Sequence, residues 1–352
     1  MPSLDNTADE KPAIDPILLK VLDAVPFRLS IDDGIEAVRQ RLRDLPRQPV
    51  HPELRVVDLA IDGPAGPIGT RIYWPPTCPD QAEAPVVLYF HGGGFVMGDL
   101  DTHDGTCRQH AVGADAIVVS VDYRLAPEHP YPAAIEDAWA ATRWVAEHGR
   151  QVGADLGRIA VAGDSAGGTI AAVIAQRARD MGGPPIVFQL LWYPSTLWDQ
   201  SLPSLAENAD APILDVKAIA AFYPTTMADL SLPSFTENAD APILDRDVID
   251  AFLAWYVPGL DISDHTMLPT TLAPGNADLS GLPPAFIGTA EHDPLRDDGA
   301  CYAELLTAAG VSVELSNEPT MVHGYVNFAL VVPAAAEATG RGLAALKRAL
   351  HA

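Results

Sequence analysis

Short runs of β-branched and other apolar residues recur along this chain, and segments with the length and apolar spacing of helices lie between several of them. This alternation is typical of a mostly parallel sheet that is covered by helices on both faces. We therefore predict an α/β fold. The buried strands are expected at residues 86–90, 116–121, 158–162, 187–191, 285–289 and 311–315. The crossover helices are expected at residues 133–148, 166–181 and 298–309.

Two further strands, near residues 55–61 and 69–73, flank a turn that is rich in Gly and Pro, and this pattern predicts an antiparallel hairpin at the edge of the sheet. The first 45 residues contain no strand pattern. Residues 16–25 and 31–45 are predicted as two helices, the second with Ser30 as its N-cap. We expect these helices to form an appendage to the core.

An internal repeat with a period of 30 residues lies in the middle of the chain. Residues 193–222 align without gaps on residues 223–252, with 20 of 30 positions identical, and ENADAPILD occurs in both copies. Two copies are too few for a solenoid, so we interpret the repeat as a duplication inside one architecture. The differences between the copies argue against a recent tandem copying event. They leave an old duplication, or a junction out of register between two diverged homologues.

The chain is strongly acidic, with 47 acidic and 22 basic residues and a formal net charge of −25. Its electrostatic field should repel phosphate backbones and anionic lipid surfaces, so we expect neither a nucleic-acid nor a membrane-surface partner. Cys78, Cys107 and Cys301 form no CxxC pair, and neither a disulfide framework nor a zinc site is predicted. No signal peptide or apolar span is recognisable, which favours a cytoplasmic protein without stable membrane insertion.

A GxSxG sequence at residues 163–167 lies directly between a predicted strand and a predicted helix. Glycines relieve crowding in a sharp turn of this kind, so that the hydroxyl of Ser165 projects above the sheet with a helix N-terminus behind it. The pattern alone is weak, but its strand-turn-helix context is what a nucleophilic serine requires. The rival interpretation is the GDSGG loop of chymotrypsin-like proteases. The absence of an all-β pattern and of disulfides argues against it.

The sequence His-Gly-Gly-Gly at residues 91–94 follows another predicted strand immediately. Three glycines allow the backbone N–H groups to turn inward towards a developing oxyanion. The alternative is a phosphate-binding loop. No GK[ST] follows, and Asp99 and Asp101 would oppose a phosphate, so an oxyanion hole is the preferred interpretation.

A nucleophilic serine needs a base, and the base needs a group that orients it. In an α/β arrangement of this kind the order along the chain is Ser, then Asp or Glu, then His. Asp293 follows the predicted strand at 285–289, and His323 follows the last predicted strand. Taken singly, they could be a helix-capping residue and an ordinary loop histidine. The acidic residues next to Asp293 that could replace it are Glu291, Asp297 and Asp298, and His292 also lies beside it.

Five motifs now occur in a fixed order: HGGG at 91–94, DYRLAPEHPYPA at 122–133, GDSAGG at 163–168, DPLRD at 293–297 and HGY at 323–325. Together they resemble the hormone-sensitive-lipase-like branch of bacterial carboxylesterases, over nearly the whole chain. The resemblance implies an α/β-hydrolase fold with a mostly parallel eight-stranded sheet. It also implies a helical cap, which we place at residues 1–48 and 194–272, on a catalytic core at residues 49–193 and 273–352.

The same resemblance implies a cofactor-free and metal-free serine esterase for small ester substrates with short to medium acyl chains. It assigns Ser165 as the nucleophile, His323 as the base and Asp293 as the orienting acid. The oxyanion hole would consist of the N–H groups of Gly93, Gly94 and Ala166. His91 and residues 122–128 would support the geometry of the loop. The sequence does not determine the oligomeric state, and it allows a homo-oligomer.

The resemblance leaves alternatives for the function and for the repeat. An amidase or deacetylase could use the same triad, because the leaving-group pocket is not visible in the sequence. A ligand-binding protein on the same fold would be non-catalytic, but the plant receptors of this kind have lost the histidine, and His323 is retained here.

Family members carry one ENADAPIL segment. The part from Tyr223 onward resembles mycobacterial carboxylesterases, so a chimera of two members would explain the second copy.

Overall fold

The structure, a computed structural model, describes residues 12–24, 34–78, 83–199, 201–208, 255–260 and 264–352. These residues form a single eight-stranded sheet with the order β1-β2-β4-β3-β5-β6-β7-β8. Its strands are β1 (Val56–Gly63), β2 (Gly66–Tyr73), β3 (Ala84–Phe90), β4 (Ile117–Asp122), β5 (Ala154–Asp164), β6 (Ile186–Trp192), β7 (Ala285–His292) and β8 (Val313–Val322). The predicted α/β fold is confirmed.

The sheet is antiparallel only at one edge. β1 and β2 form the expected hairpin, β2 pairs with β4 in the antiparallel sense, and the pairs from β4 to β8 are parallel. Every residue of β3 is buried, as expected for a central parallel strand with helices on both faces. Because the parallel strands share one direction, the loops at their carboxyl ends meet along one edge of the sheet.

The structure gives the bounds of eight α-helices, and residues 255–256 are also helical. The eight helices are α1 (Pro16–Ala24), α2 (Ile35–Asp44), α3 (Asp104–Ala114), α4 (Ala133–His148), α5 (Ala166–Asp180), α6 (Pro203–Glu207), α7 (Arg296–Ala308) and α8 (Pro333–Leu350). One apolar core joins the sheet to α4, α5 and α7, and a second core on the other face joins it to α3 and α8. The arrangement is a three-layer α/β/α fold.

The helix predictions need three corrections. Helix α2 begins at Ile35 and not at residue 31, and its N-cap is Gly34, whose φ of 82° is outside the helical region. Ser30, the predicted N-cap, lies outside the described residues. Helix α3 was not predicted, because its sequence DGTCRQHAVGA has little apolar periodicity. Helix α8 was also not predicted, since it follows the last strand and connects no pair of strands.

Most of the repeat, residues 209–254, lies outside the described residues. The described part of the first copy, residues 193–199 and 201–208, runs from the end of β6 to just past α6.

Candidate active site

The predicted site residues lie at the carboxyl ends of the parallel strands. Residues 91–94 follow β3, Ser165 follows β5, Asp293 follows β7 and His323 follows β8. Because β3, β5, β6, β7 and β8 are neighbours in this order in the sheet, these loops come from adjacent strands. The order of the strands therefore assembles groups that are far apart in the sequence.

Ser165 is held in a sharp turn between β5 and α5. Its backbone has φ 54° and ψ −120°, which is strained for a residue with a side chain. A Cβ atom on Gly167 would lie 2.0 Å from the carbonyl oxygen of Phe90, and one on Gly163 would lie 2.2 Å from the carbonyl oxygen of Gly167. Only glycine allows β5 and α5 to approach each other and β3 this closely. The N–H of Ser165 donates to the carbonyl of Trp192 at 2.9 Å, which fixes the turn to the end of β6.

The loop after β3 has the backbone conformation that its glycines predict. Gly93 has φ 114° and Gly94 has φ 61°. A Cβ on Gly93 would lie 2.2 Å from the carbonyl oxygen of Met97. The carbonyl of Gly93 accepts hydrogen bonds from the N–H groups of Val96 and Met97, so it is tied back into the loop.

The N–H groups of Gly93, Gly94 and Ala166 donate to no backbone carbonyl or side chain within the described part of the chain. Most backbone N–H groups in a buried loop are paired. Donors left open next to a strained serine are what an oxyanion hole requires. The geometry of this loop is therefore suited to stabilise negative charge.

Asp164, the residue before Ser165, is a buried carboxylate that connects this turn to the loop after β3. Its Oδ1 accepts the hydroxyl of Tyr89 at 2.7 Å and the N–H of Gly92 at 3.0 Å. Its Oδ2 lies 3.6 Å from Nε2 of His103. Burial opposes its ionisation most strongly, but His103 and the Tyr89 hydroxyl hold the pKa of Asp164 below its ordinary value. The carboxylate form is thus available to hold Gly92 in place.

His91 supports the same loop. Its ring is fully buried and stacks on Tyr123 at a centroid separation of 4.2 Å. The Tyr123 hydroxyl donates to the backbone carbonyl of His91 at 2.7 Å. Burial, and next to it the neighbouring His103, lowers the pKa of His91 to about 4, so the imidazole is neutral at pH 7. A neutral, buried imidazole that packs against Tyr123 has a structural role in the loop.

Asp293 and His323 form a hydrogen-bonded pair. The Oδ2 of Asp293 lies 2.8 Å from Nδ1 of His323, and Asp293 is fully buried. Its other oxygen, Oδ1, accepts the N–H of Leu295 at 2.8 Å. With the Nδ1 proton directed at the carboxylate, Nε2 is the nitrogen that can accept a proton. The ring of His323 packs against the ring of Tyr193. Tyr193 directly follows Trp192, whose carbonyl accepts the N–H of Ser165.

The other acidic residues of this turn have different partners. Glu291 pairs with Arg296 at 2.7 Å, Asp297 accepts the N–H of Ser204, and Asp298 accepts the N–H and hydroxyl of Thr196. Asp293 is the carboxylate of the turn that contacts the histidine.

Two features of the site were not predicted from the sequence. The GDSAGG motif contains Asp164, but nothing in the motif shows that this side chain reaches Gly92. Arg39 of α2 is buried, and its guanidinium donates to the carbonyls of Val96 and Ala126 at 2.8 Å and to the carboxylate of Glu128. An arginine inside a predicted surface helix gives no signal of this role, since most such residues face solvent.

Within the described residues, no three His, Cys, Asp or Glu side chains are grouped so that they could hold a metal ion. In the same part of the chain, no helix has both the length and the apolar character needed to cross a bilayer.

Comparison with known proteins places these features in one family. A sequence profile for the α/β hydrolase fold matches residues 87–225 and 205–327, two matches that overlap within the repeat. Esterase LipI of Mycobacterium tuberculosis is 79% identical over 352 residues, covering 100% of both chains. Carboxylesterase NlhH of the same species is 69% identical over 345 residues, covering 97% of this chain and 98% of the relative. The structure of a hyperthermophilic esterase from Pyrobaculum calidifontis is 37% identical, with a TM-score of 0.77 over 96% of this chain and 99% of that one.

Proposed function

The chain belongs to the α/β-hydrolase-fold family, in its hormone-sensitive-lipase-like branch of carboxylesterases, and we propose that Ser165, His323 and Asp293 form its catalytic triad. It is a carboxylic ester hydrolase. The observation that carries the proposal is the 2.8 Å contact between Asp293 and His323, which lies at the same edge of the sheet as the strained turn of Ser165.

The reaction begins with the transfer of a proton from Ser165 to Nε2 of His323 as the serine oxygen attacks the ester carbonyl. Asp293 holds the imidazole in the tautomer with the proton on Nδ1, and it stabilises the imidazolium that forms. The imidazolium then donates its proton to the alkoxide leaving group, which departs as the alcohol. An acyl-enzyme on Ser165 remains.

Water completes the cycle. His323 accepts a proton from the attacking water, a second tetrahedral intermediate forms and collapses, and the carboxylic acid leaves with Ser165 restored. In both intermediates the oxyanion accepts hydrogen bonds from the N–H groups of Gly93, Gly94 and Ala166. These donors cost no reorganisation, because the loop already holds them in place.

The proposed substrates are small esters with short to medium acyl chains, as the motif resemblance implies. A series of p-nitrophenyl esters from acetate to palmitate tests this range, with a maximum expected at butyrate or hexanoate. A maximum at palmitate would contradict it. A matching p-nitroanilide series tests the amidase alternative, since an amidase would cleave anilides at rates comparable to those of the esters.

Ser165→Ala is the direct test of the nucleophile. Hydrolysis of p-nitrophenyl butyrate should fall by roughly 10⁴-fold or more, because no other group in the triad can form the acyl-enzyme. Ser312→Ala is the matched control, since Ser312 is exposed before the amino end of β8 and should leave the rate unchanged. A fluorophosphonate probe should label the parent chain and spare Ser165→Ala. A chain that binds esters but takes no label would instead be a ligand-binding protein.

A further inference from the structure

The segment that follows β6 forms hydrogen bonds with the turn that carries Asp293. We call residues 196–199 and 201–208 the post-β6 segment; all of them belong to the first copy of the 30-residue repeat. The segment passes over the start of α7, between Asp293 and Asp298. Its polar groups pair with that turn at successive positions, and most of these bonds are buried.

The first anchor is Asp298. Its Oδ1 accepts both the N–H and the hydroxyl of Thr196 at 2.6 Å, and its Oδ2 accepts the N–H of Leu197 at 3.1 Å. Asp298 is 1% exposed. A buried carboxylate with several donors fixes the start of the segment against α7.

Ser204 is the second anchor, and it bonds in both directions. Its N–H donates to Oδ2 of Asp297 at 2.6 Å, and its hydroxyl donates to the carbonyl of Pro294 at 2.8 Å. The hydroxyl also accepts the N–H of Asp297 at 3.0 Å. Because Ser204 is fully buried, water cannot replace these hydrogen bonds if they are lost. Their loss would leave unpaired polar groups and would lower the stability of the fold. They fix the backbone on both sides of the short turn after Asp293.

Asn208 contacts the backbone of Asp293 directly. Its Nδ2 donates to the backbone carbonyl of Asp293 at 3.2 Å and to the carbonyl of Ser204 at 3.1 Å, and the residue is 3% exposed. The same carbonyl of Asp293 accepts the N–H of Arg296 at 3.0 Å. A peptide that is held from two sides cannot rotate freely, so the direction of the Asp293 carboxylate towards His323 depends in part on Asn208.

We propose that Ser204 and Asn208 are positioning residues for the acid of the triad, and that the first copy of the repeat supplies them. The inference rests on the proposed function, because it assigns them a role through Asp293. They touch neither the substrate nor the reacting atoms. Their contribution is to keep Asp293 aligned with Nδ1 of His323, an alignment that matters most when the imidazolium forms in the transition state.

The second copy offers a matched control within the same chain. Thr196, Ser204 and Asn208, whose side chains make these contacts, recur 30 residues later as Thr226, Ser234 and Asn238. If the first copy holds the turn, changes at Ser204 and Asn208 should affect catalysis, and the same changes at Ser234 and Asn238 should not. Amino-acid type and local sequence are identical or nearly so in each pair.

The experiment compares Asn208→Ala and Ser204→Ala with Asn238→Ala and Ser234→Ala in the full-length chain. For p-nitrophenyl butyrate, the first-copy variants should lose about 10- to 100-fold in kcat with KM within about 2-fold of the parent. The second-copy variants should keep the parent kcat. Ser204→Thr, which retains the hydroxyl, should recover most of the loss. Rates are measured well below the melting temperature of each variant, which circular dichroism supplies.

A second comparison exchanges the roles of the copies. Deleting residues 193–222 joins Trp192 to Tyr223 and leaves the second copy directly after β6. In this background Asn238→Ala should now lower kcat by about the same factor. Equal kcat for the parent and Asn208→Ala, or equal losses for Asn208→Ala and Asn238→Ala in the full chain, would overturn the inference. Failure of the proposed function has a different signature, which is a parent chain that does not hydrolyse the ester or a Ser165→Ala variant that still does.

Discussion

The carboxylate of Asp164 accepts a hydrogen bond from the backbone N–H of Gly92 at 3.0 Å. The two residues are 72 positions apart, and each lies next to one half of the proposed catalytic machinery. Asp164 precedes Ser165, and Gly92 precedes Gly93 and Gly94. The turn at Ser165 and the loop at residues 91–94 are therefore one hydrogen-bonded unit. A Cβ on Gly92 would lie 2.4 Å from Oδ2 of Asp164, so the contact also requires glycine at that position.

Asp293→Asn should lower kcat by about 10⁴-fold while the protein remains folded, because an asparagine amide cannot hold the proton on Nδ1 of His323. Single-turnover kinetics with p-nitrophenyl acetate and a circular dichroism melt measure the two effects separately. Glu291→Gln is the control: it removes an acid two residues away that pairs with Arg296 and not with His323. A loss in Glu291→Gln as large as in Asp293→Asn would show that the acid is misassigned.

Gly167→Ala should destabilise the chain by about 3 kcal/mol or more, because the new methyl group would overlap the backbone carbonyls of Phe90 and His91. Backbone atoms in a sheet cannot move aside as a flexible side chain can. Gly340→Ala is the matched change in an open position: Gly340 is exposed in α8 with nothing within 4 Å of the new atom. Gly340→Ala should raise the free energy of unfolding by about 0.5 to 1 kcal/mol, because alanine has a higher helix propensity than glycine. Urea unfolding of both variants measures these shifts.

His110 should make the stability of the chain depend on pH. Its Nδ1 donates to the carbonyl of Thr106 and its Nε2 accepts the indole N–H of Trp192, so the ring is neutral. Burial lowers the pKa of His110 to about 4 from 6.5. The unfolded chain therefore binds a proton more readily between pH 6.5 and pH 4, and the free energy of unfolding falls as the pH falls through this window.

The change attributed to His110 is on the order of 3 kcal/mol across that window. His110→Gln cannot be protonated there, so its stability should depend less steeply on pH than that of the parent. Urea unfolding at pH 7, 6, 5 and 4 provides the comparison. Parallel pH curves for the two proteins would contradict the prediction. The slope that His91 contributes should remain in both, because burial lowers its pKa as well.

Arg39→Met should destabilise the chain by about 2 to 3 kcal/mol, because the carbonyls of Val96 and Ala126 lose a buried charged donor. We also expect a lower kcat, since the N–H of Val96 donates to the carbonyl of Gly93 in the proposed oxyanion hole. Arg43→Met lies one helical turn further along α2, where the side chain is 40% exposed and pairs with Asp99. Such a pair contributes only about 0 to 1 kcal/mol. Equal destabilisation by both changes, measured by urea unfolding, would show that the buried contacts of Arg39 contribute little.

The sequence alone determined the fold class and the local form of the site. Glycines at 163 and 167 predict a sharp turn at Ser165, and the alternation of strand and helix periods predicts a parallel sheet, because both signals depend on the conformation and burial of neighbouring residues. The predicted triad residues Ser165, Asp293 and His323 follow β5, β7 and β8, in the same order along the chain. Helix α3 could not be predicted from apolar periodicity, since its apolar residues follow no clear period.

Which buried groups form hydrogen bonds with each other depends on the tertiary fold and not on the local sequence. Asp164 meets Gly92 because β3 and β5 are neighbours in the sheet, although β4 lies between them in the sequence. Arg39 reaches Val96, and Asn208 reaches Asp293, across 57 and 85 residues. Local propensity carries no information about such pairs. They depend on the strand order and on packing, which bring buried donors and acceptors from distant segments together where water cannot satisfy them.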